Sequence, residues 1–140
     1  MLMNADLAGV ILHIDDDRSV RESMALLLGM EGYAMNSAAN GPDALELVHA
    51  GLEPDVLIAD FNLESRMNGA ETTEKIQRTL RYAPPVIMLT GDLSAAKIPR
   101  VAEVILWMTS KPLDPRVLLA ALPGLVQVSR VTRRMPARTR

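Results

Sequence analysis

Apolar residues along this chain fall in short continuous runs, separated by longer stretches in which they recur every third or fourth position. The first run, GVILHI at residues 9–14, is apolar nearly throughout, as in a strand buried on both faces. Val20, Met24, Leu27 and Leu28 then follow at helical spacing, and Ser19 with Glu22 matches a capping box, so a helix is predicted up to GMEGY. YAMNSA, residues 33–38, reads as a second, more polar strand suited to a sheet edge. NGPDALELVHAG predicts a short helix, with Pro42 near its first position and Gly51 just past its end. PDVLIAD, residues 54–60, is a third strand and ends in an aspartate. NGAETTEKIQRTL predicts a helix capped by Asn68, with Ala70, Thr73, Ile76 and Leu80 on one face. PPVIMLTGD is a fourth strand. Residues 94–103 form a weak helix interrupted by Pro99. VILWMTSKP is a fifth strand. DPRVLLAAL opens a last helix with Asp114 as cap and Pro115 in the first turn, and Pro123-Gly124 is expected to disturb it. Strict strand–helix alternation with short connections implies a parallel sheet with helices on both faces.

Composition narrows the picture in three ways. With 140 residues, 49% of them apolar, the chain is long enough for one domain with a real core. Aromatics are only 3%, so that core must be aliphatic, and Met24, Met30, Met35, Met88 and Met108 read as core fillers. There is no cysteine, which excludes disulfides and thiolate metal sites. No apolar run approaches the roughly 20 residues of a membrane helix, and the N-terminus does not read as a signal peptide.

Charge is uneven. The net value of −2 conceals five arginines, Arg130, Arg133, Arg134, Arg138 and Arg140, in the last eleven residues, which contain no acid. Upstream, ten bases face 17 acids. An acidic body with a basic tail could suggest nucleic acid, but no aromatic interleaves with the arginines, so the plainer reading, a solvated tail or a truncated linker, is preferred.

In an open parallel sheet, ligands bind beyond the carboxyl ends of the strands. The residues at those ends are Asp15, Asp16 and Asp17 after the first strand, Asp60 at the third, Thr90 and Gly91 at the fourth, and Lys111 and Pro112 after the fifth. Adjacent carboxylates repel unless a cation compensates them. Mg²⁺ takes one or two carboxylates together with water and phosphate oxygens. An aspartate can attack a phosphoryl group, while a lysine and a hydroxyl balance the charge on its oxygens.

With DDD after strand one, IAD at strand three, LTGD at strand four and SKP after strand five, the chain resembles a response-regulator receiver domain of two-component signalling. The resemblance covers residues 9–126, with a 1–8 extension and a 127–140 basic tail. It implies a flavodoxin-like, doubly wound α/β fold, a five-stranded parallel sheet in the order 2-1-3-4-5 with helices on both faces. It also implies Asp60 as phosphoacceptor, Asp15 and Asp16 as the acidic pair that binds Mg²⁺ with Asp60, the backbone carbonyl of Asn62 as a further metal ligand, Thr90 as switch hydroxyl and Lys111 as the lysine that contacts the phosphoryl group. Asp17 reads as a helix cap. The partner would be a sensor histidine kinase or a histidine phosphotransfer domain in the cytoplasm. No direct DNA binding and no membrane contact are expected, and dimerisation is compatible with the reading. IADFNLESRMNGAE and VIMLTGDLS are similar to receivers at the C-terminus of hybrid sensor histidine kinases. A stand-alone regulator and a phosphorylation-independent pseudo-receiver are the alternatives. Two positions depart from the family: Met108 stands where an aromatic is common, and Pro99 lies in the fourth helix.

Each residue also has a plainer explanation. Asp60 alone could cap a helix, Thr90 could satisfy a turn, and Lys111 could pair with Asp60 for structure only. It is their combination that favours chemistry. His13 reads as packed or hydrogen-bonded and His49 as an exposed helix-end residue. The chain is not expected to be an enzyme: a phosphohydrolase of the strand-end aspartate type carries a second acid two residues on, where this chain has Asn62.

Overall fold

The computed structural model describes residues 8–63, 67–90, 106–110 and 114–134. The elements run β1 (Gly9–Ile14), α1 (Arg18–Met30), β2 (Tyr33–Ala38), α2 (Gly41–His49), β3 (Val56–Asp60), α3 (Gly69–Thr79), β4 (Val86–Thr90), β5 (Leu106–Ser110) and α4 (Pro115–Arg133). All strand pairs are parallel, and the order is β2-β1-β3-β4-β5. This is the expected doubly wound arrangement, with the polar β2 at an edge. The expected helix at 94–103, Pro99 and the tail arginines Arg138 and Arg140 lie outside the described residues, as does the Met108 side chain.

Strand alternation divides the core into two layers. Ile11, Val56, Ile58, Ile87 and Leu89 pack with Met24 and Leu28 of α1 and with Leu118, Leu122 and Val126 of α4. Leu12, Ile14, Leu57, Ala59, Val86 and Met88 pack with Ala44 and Val48 of α2 and Ile76 of α3. Because both faces are covered, β1, β3 and β4 are almost continuously buried. Met24 and Met88 fill the core as expected and Met35 packs against it, but Met30 is 77% exposed at the end of α1. The helix stripe there ends at Leu28, and Met30 falls on the opposite side.

The helix ends follow local chemistry. Asn68 caps α3 in a full capping box: its side chain accepts from Glu71 N–H and the Glu71 side chain accepts from Asn68 N–H. Asn40 caps α2, and Asp114 caps α4 with Pro115 in the first turn. Gly51 takes a positive φ just past α2, as its position implied. The expected capping box at Ser19 and Glu22 does not form. Asp17 is the cap, one residue before the first helical position, and Glu22 pairs with Arg18 four residues back.

A larger departure concerns α4. It runs unbroken through Pro123 and past residue 126 to Arg133. Pro123 costs the helix one N–H bond, but it sits on the exposed side, where water can reach the freed carbonyl. Leu118 and Leu122 before it and Val126 and Ser129 after it are buried against the sheet, so packing holds the axis on both sides. Arg130 and Arg133 near its end are not part of a solvated tail either, whereas Arg134 is exposed. Arg133 donates to the carbonyls of Glu53 and Pro54 (3.0 and 2.9 Å) and to the Tyr82 hydroxyl (2.7 Å), and it pairs with buried Asp55 at 3.1 Å. Its guanidinium lies 4.1 Å from the Tyr82 ring centroid. Arg130 adds a second ion pair to Asp55 at 3.5 Å. No described helix is long and apolar enough to cross a membrane.

Candidate functional site

β1 and β3 are neighbours, so their carboxyl ends deliver Asp15 and Asp60 to the same place. One ligand atom from each of Asp15, Asp16 and Asp60 lies within 4.8 Å of the others. Asp15 and Asp60 are buried, while Asp16 is only partly covered. The cluster therefore opens outward through Asp16.

Backbone amides aim the two buried acids. Asp17 N–H donates to Asp15 Oδ1 at 2.9 Å, and Asn62 N–H donates to Asp60 Oδ1 at 3.0 Å. Each bond spans two residues, an Asx turn in which the acid folds its own following segment. Arg21, from the first turn of α1, donates to the Asp15 carbonyl at 2.8 Å and braces the loop from behind.

The DDD run divides its labour. Asp17 turns away as the α1 cap and accepts from Ser19 N–H, Ser19 Oγ–H and Val20 N–H. The Ser19 hydroxyl bond, first among these, holds its carboxyl below the ordinary value of 3.8. Asp15 and Asp16 remain for the cluster.

Thr90 closes β4 next to Asp60 and is buried. The registers set Asp60 beside Leu89 and Thr90 beside Ser110. Asn62 follows Asp60 with its amide on the carboxylate and its residue largely exposed. Asp15, Asp16, Asp60, Asn62 and Thr90 thus share one rim. Lys111 lies outside the described residues. His13, fully buried on β1, stands 3.9 Å from Asp15, and His49 is exposed at the end of α2.

The donor set fits a hard divalent cation. All three side chains offer carboxylate oxygens, two of them are sheltered, and one side is open for water or a phosphoryl oxygen. Repulsion among the acids becomes attraction when such a cation is bound.

Reading the sequence alone missed two contributors, Arg21 and Gly69. The Gly69 N–H donates to the Phe61 carbonyl at 3.0 Å, which sets the start of α3 against the turn that follows Asp60. Its signal was a glycine directly after a capping asparagine.

Residues 11–123 match the family model for the response regulator receiver domain. The response regulator MprA of Mycobacterium leprae is 31% identical over 117 residues, 84% of this chain and 50% of that protein. The chain thus spans about half the length of the curated relatives it matches. Among solved structures, a CheY-like response regulator receiver domain protein of Methanospirillum hungatei superposes with a TM-score of 0.76 at 25% identity, over 89% of this chain and 98% of the other. The N-terminal domain of a response regulator/sensory box/GGDEF three-domain protein of Carboxydothermus hydrogenoformans gives 0.77 at 25% identity, over 87% and 97%. The chain belongs to the response regulator receiver domain family.

Proposed function

We propose that this receiver domain accepts a phosphoryl group on Asp60 from a phosphohistidine of a sensor kinase or phosphotransfer domain. The observation that carries the proposal is the convergence of the Asp15, Asp16 and Asp60 carboxylates beside Thr90 on one rim of the sheet.

A carboxylate oxygen of Asp60 bonds to phosphorus as the P–N bond to the donor imidazole breaks, and the imidazole leaves with that electron pair. The Asn62 amide holds the other face of the Asp60 carboxylate in place, so the nucleophile is oriented before the donor arrives. The Thr90 hydroxyl donates to a phosphoryl oxygen, and Lys111 balances a second one. Asp15, Asp16, Asp60 and the Asn62 carbonyl are the residues that would hold Mg²⁺, which would supply charge neutralisation for the carboxylates and the incoming oxygens. Once modified, Asp60 shifts the population of surface conformations that partners read.

The relatives named above are response regulators, which favours a response regulator's receiver over one from a hybrid sensor kinase; the ADFNL and LTGD segments support the latter. A cytoplasmic location accords with either origin.

Intact-mass spectrometry after incubation with Mg²⁺ and acetyl phosphate tests the reading. The expected result is a gain of one phosphoryl group, lost in Asp60→Ala and on chelation. No gain, with Mg²⁺ binding intact, would leave a donor-selective receiver that needs its own histidine partner or a phosphorylation-independent interaction module. A gain that survives Asp60→Ala would refute Asp60 as the acceptor.

A further inference from the structure

We infer that Gly69 is a positioning residue for Asp60, an inference that rests on the phosphoacceptor reading above. A Cβ at Gly69 would lie 2.2 Å from the Asp60 carbonyl oxygen, 2.9 Å from its carbon and 3.0 Å from Met88 Sδ. The first two obstacles are backbone, and they belong to the residue that carries the nucleophile. A flexible side chain can swing aside alone, whereas this peptide moves only with the turn that follows it, because the adjoining Phe61 is tied at both its N–H and its carbonyl. Phe61 N–H donates to the Leu89 carbonyl of β4 at 2.8 Å, and the Phe61 carbonyl accepts from Gly69 N–H at 3.0 Å. The Asp60 carboxylate is tied onward to Asn62 N–H.

The turn from Asp60 to Asn62 is therefore gripped between β4 and the first residue of α3. That grip needs α3 to start in contact with the Asp60 carbonyl, and only glycine permits the approach. The demand is spatial: Gly69 is not among the glycines with positive φ. α3 itself is fixed by the Asn68–Glu71 box and by buried Ile76, so a Cβ would displace the strand end more readily than the helix. Relieving the contact requires about 1 Å of movement, and a misplacement of that size in a reacting group can cost about 100-fold in rate.

Gly9 supplies the control. A Cβ there would meet Val126 Cγ2 at 2.8 Å, a milder clash and one with a side chain, at the opposite end of the sheet. Gly69→Ala and Gly9→Ala are compared with the native chain in urea unfolding, Mg²⁺ titration calorimetry and the rate of mass gain from acetyl phosphate. Both variants are expected to lose stability. Only Gly69→Ala is expected to slow phosphorylation, by about 10- to 100-fold, and to weaken Mg²⁺ binding. A folded Gly69→Ala with native rate and native Mg²⁺ affinity overturns the inference, as does an equal loss of rate in Gly9→Ala. A native chain that gains no mass is either a receiver that takes phosphate only from its own histidine partner or an interaction module, and the Mg²⁺ titrations then decide Gly69 separately. If Gly69→Ala does not fold, amide exchange in the native chain decides. With Mg²⁺ and beryllofluoride, exchange at the Gly69 amide is expected to slow; unchanged exchange there overturns the inference.

Discussion

Asp17 shows how one residue's surroundings can decide its role among identical neighbours. Three aspartates stand in a row, yet only the third reaches back over the start of α1 to meet two amides and a hydroxyl. Asp114 makes the equivalent cap at α4, where its bonds to Arg116 lower its carboxyl below 3.8. A depressed folded value means stability that is present above the unfolded value and lost as pH falls through the folded one. Between pH 5 and pH 2, stability should therefore fall with decreasing pH. Asp17→Asn with Asp114→Asn should flatten that slope, measured as urea midpoints across the range. An undiminished slope in the double variant would place the acid sensitivity elsewhere. Of the residue-scale features, the rim acids and the caps at Asn68 and Asp114 were legible in the sequence, because each depends on neighbours within a few positions. Ser19 was misread because it and Asp17 are both good caps, and only the path of the chain chooses between them. Gly69 was hidden because its constraint comes from a strand end eight or nine residues back.

At the scale of elements, α4 departs furthest from what local rules suggest. Pro123-Gly124 is a strong stop signal by propensity, costing about 3–4 kcal/mol together. Burial of Val126 and Ser129 beyond it, and the arginine contacts at Asp55, reverse the outcome. Those contacts link residues about 50 to 80 positions apart, so no reading of the tail could find them. Arg133→Ala would leave Asp55 buried with Arg130 as its remaining cation. The expected cost is about 3 kcal/mol, the low end for breaking a buried ion pair. Hydrogen exchange should quicken selectively in α4 after Gly124. Unchanged exchange there would show that side-chain burial alone carries the last turns. Tyr82 belongs to the same assembly: its hydroxyl donates to the Pro54 carbonyl at 2.7 Å, and desolvation raises its pKa well above the ordinary 10.

For the whole molecule, the sheet sets two polar assemblies at opposite ends of the same strand. Asp55 and Asp60 are separated by β3, roughly 17 Å at about 3.3 Å per residue. One end holds the last turns of α4 at Asp55 and the other holds the acid cluster, with apolar layers between them. Mutations at sites this far apart with no shared partner add within about 0.5 kcal/mol. Asp55→Asn combined with Asp60→Asn should accordingly change the unfolding free energy by the sum of the single changes. A coupling beyond 1 kcal/mol would show that strain passes along β3. Topology was legible from alternation and run length because β1, β3 and β4 are covered on both faces. The division of the core between two faces needed only the two-residue period of the strands.

The position of β2 has a consequence for handling the protein in solution. One side of this strand pairs with β1, and the other presents a row of backbone donors and acceptors with no strand beyond it among the described residues. Such a row is a template on which a foreign strand can nucleate cross-β stacking. Asn36 and the exposed Ser37 make that template a poor one, since a polar, twisted edge offers no apolar seam to zip. The polarity that weakens YAMNSA as a strand is thus a gatekeeper against fibrillation, and replacing those two residues with β-branched apolar ones would trade shelf life for strand propensity.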